Sequence, residues 1–307
     1  MRVAFFGTPA AAVPTLEALI ESPLEVVVCV TNPDRPSGRG MRLTPPPVKS
    51  AALSAGIDVM QPGSVRDRAW IDEFAGLRSE VAVVVAYGKI LPAELLTVPA
   101  LGFVNVHMSL LPAYRGAAPI QRALMDGAAT TGVSIMLLTE GMDEGPVLAQ
   151  RSVEVGPEET AGELEERLAM LGATTLVETL PGYGRADITP IPQDQSKATY
   201  APKISGKDAR IDWAAPAAEI HNQVRALNPD PGAFTRLRGS TLKMWRVAET
   251  EGDGDLAPGE LMFTDELLVG AGDRALRVVE AQIAGKKRLP GPDLARGLRL
   301  EAGERLG

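Results

Sequence analysis

The chain of 307 residues, 45% apolar and 23% charged, has the length and make-up of about two globular domains, which excludes disordered and fibrous readings. A net charge of −8 and an aromatic content of 4% exclude a uniformly basic surface and a platform of many stacked rings, so any nucleic-acid contact is local. One cysteine and two histidines exclude an intrachain disulfide, a multi-cysteine zinc site and a three-imidazole site, and no metal is expected.

Val3–Phe6 predicts a first strand, and Val13–Glu21 carries apolar residues at helical spacing. The chain opens directly on that strand and holds no run of about 18 apolar residues. A soluble, cytoplasmic protein without membrane contact is therefore expected. Gly7-Thr8-Pro9 follows the strand, but the second and third glycines of a dinucleotide fingerprint are missing. A tight strand-to-helix turn is the reading, and a nicotinamide enzyme is disfavoured. Glu25–Val30, Val81–Ala86, Phe103–His107 and Val133–Leu138 predict further strands, with Cys29 inside a buried one. Strands alternating with helices argue for a parallel α/β sheet whose ligands bind beyond the carboxyl ends of the strands. Glu158–Leu180 predicts an amphipathic helix ended by Pro181-Gly182.

Polar, proline-containing sequence follows, and we place a first domain at 1–189, a linker at 190–205 and a second domain at 206–307. The second domain predicts one helix, Ala217–Leu227, and short β runs at Ala233–Arg236, Thr241–Val247, Glu260–Met262, Leu267–Val269, Ala275–Val279 and Ala281–Ile283. Short strands with turns between them suggest a small antiparallel, OB-like β-barrel. Trp213 and Trp245 read as core residues, and His221 as a packing or solvated histidine.

The stretch from Asn105 to Pro119 carries the chemistry. Asn105 and His107 are two apart at a strand end, so their side chains leave on one face. Asp143 sits in the glycine-flanked segment 140–145 after another strand. An amide NH2 can hold an oxyanion, an imidazole can move protons near neutrality, and a carboxylate can orient that imidazole. No nucleophile is marked by its context, which fits acyl transfer between two bound substrates. The spacing equally allows a strand-end histidine satisfied by backbone, and does not by itself identify a formyl donor.

The segment Asn105-Val106-His107-Met108-Ser109-Leu110-Leu111-Pro112, followed by Arg115-Gly116, closely resembles the signature of the folate-dependent formyltransferases. The resemblance implies a Rossmann-like catalytic domain, the co-substrate 10-formyltetrahydrofolate, and catalytic roles for Asn105, His107 and Asp143. It further implies a folate site formed by Ser109, Leu110, Leu111 and Pro112 together with Tyr87, Gly88, Ile90 and Leu91. The insertion Asp34–Lys49 and the segments Thr199–Ile204, Ile211–Trp213 and Asn228–Ala233 extend the resemblance over the whole chain, to the branch acting on initiator methionyl-tRNA. That branch implies a tRNA-binding second domain, and a monomer is the expected state. The insertion holds four basic residues and one acidic residue, and its glycines and prolines predict an irregular mobile loop. In the family this loop meets the tRNA acceptor end, which singles out Arg39 and Arg42. Residues 203–247 hold eight Lys or Arg against four Asp or Glu, and Lys286, Lys287 and Arg288 add a basic turn; both suit contacts to structured RNA. Ala10-Ala11 and Asp230 depart from the family pattern. The alternatives are a formyltransferase for a small amine (an amino sugar or a ribonucleotide amine) and a non-catalytic pterin- or RNA-binding protein.

Overall fold

The computed structural model describes residues 1–37, 41–250, 256–301 and 303–307. The chain divides into two units. One comprises Met1–Gly116, Thr130–Val153 and Glu165–Ala201; the other comprises Ala117–Ala129, Glu154–Leu164 and Pro202–Gly307.

The first unit is built on a seven-stranded sheet in the spatial order Val147–Glu154, Thr130–Leu137, Phe103–His107, Val81–Val85, Arg2–Gly7, Glu25–Val30, Val59–Met60. Alternate residues serve opposite faces: Val3, Phe5, Val83 and Val104 join one apolar cluster, and Ala4, Phe6, Val84 and Phe103 join the other. Burial on both faces is why these strands read as unbroken apolar runs. The second cluster gathers Phe6, Trp70, Phe74, Tyr87 and Phe103, with Phe6 edge-on to its four neighbours. The sheet is mostly parallel, in line with the expected parallel α/β class, and Phe103–His107 runs antiparallel to Thr130–Leu137. The connection between those two strands holds the short strand Arg115–Gly116 and the helix Pro119–Met125, and that helix groups with the other unit.

The helix Val13–Glu21 has the expected bounds. The long helix spans Ala161–Gly184 and runs through Pro181 rather than ending there. A proline in the last turns removes a single donor. Leu180 and Tyr183 keep that turn packed on the sheet, and the Tyr183 hydroxyl donates to the Leu101 carbonyl at 3.0 Å. The insertion also differs from the expected irregular loop: Arg35–Ser37 and Arg42–Thr44 pair as an antiparallel ribbon, with Pro36 opposite Leu43. Its base is tied by Lys49, whose ammonium lies 2.9 Å from both Asp34 carboxylate oxygens.

At the carboxyl edge of the parallel strands, the Asn32 amide donates to Thr8 Oγ1 at 3.0 Å and to the Tyr87 carbonyl at 2.8 Å. Three strand ends are joined there, where ligands of open α/β sheets sit.

The second unit is an antiparallel β domain with strand order Ala233–Leu237, Ser240–Glu249, Ala275–Ile283, Leu267–Gly270, Leu261–Phe263, and Leu289–Pro290 added on Ala275–Ile283. The two runs expected between 275 and 283 form one strand, with Glu280 opposite Arg246 at an irregular register. Leu261 donates its amide to Glu304, and Gly307 donates its amide to Arg236, so residues 304–307 link the strands at the two edges. Trp213 and Met244 lie in the core with the helix Ala217–Ala226. Trp245 is buried too, and the Arg288 guanidinium stacks 3.6 Å from its ring centre. His221 is buried, with Nε2 3.2 Å from Glu158. Among the described residues, no helix is long and apolar enough to cross a membrane.

Candidate active site

His107 closes the strand Phe103–His107 and Asn105 lies two residues before it, so both continue the face on which Phe103 meets the aromatic cluster. His107 is 6% exposed. Its Nε2 lies 3.0 Å from the Tyr114 carbonyl. A carbonyl oxygen only accepts, so Nε2 carries the proton and Nδ1 is the nitrogen left to exchange one. Nδ1 faces Asp143 Oδ2 at 3.7 Å. The half-buried Asn105 carboxamide has no hydrogen-bond partner among the described residues. The structure thus brings the His107 imidazole and the Asp143 carboxylate together, with an uncommitted amide on the same strand face.

Asp143 is placed by backbone constraints on either side of it. It stands in left-handed backbone at φ +52°, a region L residues adopt with strain. Two residues on, a Cβ at Gly145 would come within 1.8 Å of the Leu137 carbonyl, so only glycine closes the loop. The Gly116 amide donates to Asp143 Oδ2 at 2.8 Å. Gly116 sits at φ +123°, and a Cβ there would lie 2.8 Å from the Ala201 carbonyl. The Arg-Gly of the sequence signature therefore has a physical reason: the short strand Arg115–Gly116 lies against Tyr200–Ala201 and presents its amide to the carboxylate.

Several residues that sequence reasoning left without a role complete the frame. Arg115 is fully buried. Its Nε and Nη2 donate to Gln193 Oε1 at 3.1 and 2.7 Å, and its Nη1 donates to Gln195 Oε1 at 2.8 Å. The Gln193 NH2 in turn donates to the carbonyls of Asp143 and Gly145, at 2.8 and 2.7 Å. Thr199 Oγ1 accepts from the Tyr114 amide at 2.8 Å, holding the residue whose carbonyl fixes His107. For Gln193 and Gln195 the only sequence signal was polarity in a stretch that reads as a linker.

The turn Ser109–Pro112 is pinned from behind. Ser109 Oγ is buried and donates to the Ala113 carbonyl at 2.6 Å, so its hydroxyl is committed within the turn. Ser134 Oγ donates to the Ser109 carbonyl at 2.7 Å and accepts from the Leu111 amide at 3.0 Å. Leu111 is buried, whereas Leu110 and Pro112 are half-buried. The Tyr87 ring lies in the aromatic cluster, and burial pushes its hydroxyl up to about 12. Only the Tyr87 backbone is thus offered at the sheet edge. Gly88 beyond it is exposed, Ile90 is 79% exposed, and Leu91 packs against the cluster. Arg42 is exposed on its ribbon, and Arg39 lies outside the described residues. Among the described residues, no group of three or more His, Cys, Asp or Glu side chains is arranged to hold a metal ion.

Comparison with known proteins agrees with this architecture. Residues 1–180 match the family model described as formyl transferase, and residues 203–299 match the formyl transferase C-terminal domain. The methionyl-tRNA formyltransferase of Solibacter usitatus is 47% identical over 307 residues, which covers 100% of this chain and 99% of that one. The same-named protein of Geobacter sulfurreducens is 44% identical, covering 100% of this chain and 97% of that one. Among solved structures, the N-formyltransferase of Helicobacter canadensis, in complex with folinic acid and dTDP-3-aminofucose, superposes with a TM-score of 0.69 at 16% identity, covering 90% of this chain and 98% of that one. HypX of Aquifex aeolicus in complex with tetrahydrofolic acid gives a TM-score of 0.66 at 17% identity, covering 99% of this chain and 48% of that one. Those two likenesses bear on the fold; the family follows from the domain matches and the near-half identity along the whole length. The chain belongs to the formyl transferase family, in its methionyl-tRNA formyltransferase branch.

Proposed function

We propose that this protein transfers the formyl group of 10-formyltetrahydrofolate to the α-amino group of initiator methionyl-tRNA in the cytoplasm, giving N-formylmethionyl-tRNA and tetrahydrofolate. The observation that carries the chemistry is the His107–Asp143 pair, 3.7 Å apart, with the uncommitted Asn105 amide on the same strand face as His107. The family and the full-length likeness to methionyl-tRNA formyltransferases supply the acceptor.

The folate co-substrate brings an activated formyl carbon to the site. Asn105 donates its NH2 to the formyl oxygen as negative charge gathers there, an interaction worth roughly 3–4 kcal/mol where comparable donors have been removed. Nε2–H of His107 is spent on Tyr114, so the proton released by the attacking amine goes to Nδ1. The imidazolium formed then faces the Asp143 carboxylate, which stabilises it. As the tetrahedral adduct collapses, the bond between the formyl carbon and the folate nitrogen breaks and Nδ1 returns its proton to that nitrogen, which releases tetrahydrofolate and restores neutral His107. No enzyme nucleophile is needed: the Ser109 hydroxyl is committed to Ala113, and Cys29 is buried in the sheet. The pterin end of the folate rests on the turn Ser109–Pro112 and on the backbone and aliphatic groups of Tyr87, Gly88, Ile90 and Leu91. Arg42, with Arg39, meets the acceptor end of the tRNA through its phosphates.

Incubation with 10-formyltetrahydrofolate and charged initiator tRNA, with charged elongator methionine tRNA as control, tests the reading. Asn105→Ala and His107→Ala are expected to lower kcat by about 10²–10⁴-fold, with the KM for the folate changed far less. Near-normal turnover in both variants would sink the assignment. A tRNA acceptor also loses affinity steeply as salt is raised, through counterion release, whereas a small uncharged amine does not.

A further inference from the structure

Between Arg115 and the Asp143 loop stands a single side-chain amide. Arg115 is a fully buried cation, and burying a guanidinium is unfavourable unless its donors are met. Two of its nitrogens converge on Gln193 Oε1, while Glu144, its acidic neighbour, is 3.8 Å away and nearly half exposed. That pairing fixes which end of the Gln193 amide points outward: the oxygen is committed to the guanidinium, so the NH2 must face the loop. Both of its hydrogens then find carbonyl acceptors, Asp143 and Gly145, the two residues that flank Glu144. Asp143 has left-handed backbone, a conformation that persists only where its surroundings over-determine it.

We propose that Gln193 is a positioning residue for Asp143, clamping the carboxylate's loop through two backbone carbonyls while Arg115 holds the clamp. The inference rests on the reading of Asp143 as part of the formyl-transfer site. Gln193 touches no reacting atom; it acts by keeping Oδ2 of Asp143 within reach of His107 Nδ1 and of the Gly116 amide. A polar residue in the 190–201 segment thereby becomes part of the active-site frame.

Gln193→Glu isolates the role. The new carboxylate still accepts from Arg115, so the buried cation keeps its partner, but its second oxygen faces two carbonyls it cannot bond. The full-length variant is expected to lose kcat by about 10- to 100-fold, with the KM values for folate and tRNA held within about threefold. In an Asp143→Asn background the same substitution is expected to change kcat by less than about threefold, because the group it positions is already disabled. The Gly116 amide, bonded to Asp143 Oδ2, gives a readout independent of turnover: its hydrogen exchange is expected to quicken about tenfold, while the amides of Val81–Val85 keep their protection. Should the glutamate variant not fold, Gln193→Asn, one methylene short of the carbonyls, is expected to shift the same readouts in the same direction by less. Losses that multiply in the double variant, or an unchanged Gly116 exchange rate, overturn the proposal. A wild-type chain that forms no N-formylmethionyl-tRNA counts against the functional reading alone, since amide exchange still decides the role of Gln193.

Discussion

Cys29, the one thiol in the chain, is fully buried in the strand Glu25–Val30, and burial pushes it up to about 12. A thiol held protonated and without access is a poor nucleophile. In the native protein at pH 8 it is expected to resist alkylation for hours and to react at once after denaturation, as followed by intact mass. Fast labelling of the folded chain would contradict the burial. Legibility at this scale divides by sequence distance. Asn105, His107 and Asp143 stand out as candidates because strand alternation, a glycine-flanked loop and a signature motif are local patterns. Gln193 is not, because its partner Arg115 lies 78 residues away and no local pattern links them. Ser109 shows the opposite limit: its place in the motif is plain, but only the fold shows its hydroxyl turned inward to Ala113.

The short helix Gly206–Ala209 opens on a capping box formed by Ser205 and Asp208. Asp208 also accepts from Arg122 Nη1 at 2.8 Å. Arg122 first, and Ser205 with it, hold the Asp208 carboxyl well below the usual carboxylate range. A depressed folded-state value stabilises the fold above the unfolded carboxyl's pKa of about 4, and that contribution drains away as the pH falls below it. Asp208→Asn is therefore expected to lower Tm by about 2–4 °C at pH 7. The gap to wild type should narrow as melts are taken progressively below about pH 4. A gap independent of pH would mean that the charge on Asp208 contributes nothing. Among the other elements, the helix Val13–Glu21 and the strand Phe103–His107 were legible to the residue. Pro181 was misleading: a proline signals a helix end locally, whereas packing of Leu180 and Tyr183 carries the helix to Gly184. The ribbon Arg35–Ser37 with Arg42–Thr44 was hidden for a similar reason, since prolines and glycines are compatible with a short pairing at an exposed edge.

At the scale of the whole molecule, the α/β class, the presence of a second β domain and the family were all readable from pattern and motif. The direction of the strand Thr130–Leu137 was not, because parallel and antiparallel partners of a central strand look alike in sequence. Nor was the role of residues 190–201, whose prolines and charges resemble a spacer. They run alongside the first unit: Ile191 bridges Val147, Gln193 and Gln195 meet Arg115, and Tyr200–Ala201 lies beside Arg115–Gly116. Anyone excising the catalytic half faces a consequence of that path. A fragment truncated after residue 189 leaves the Arg115 guanidinium without its two glutamines, whereas one extended to Ala201 retains them. Circular dichroism melts of the two fragments should then diverge, the shorter unfolding earlier or without cooperativity.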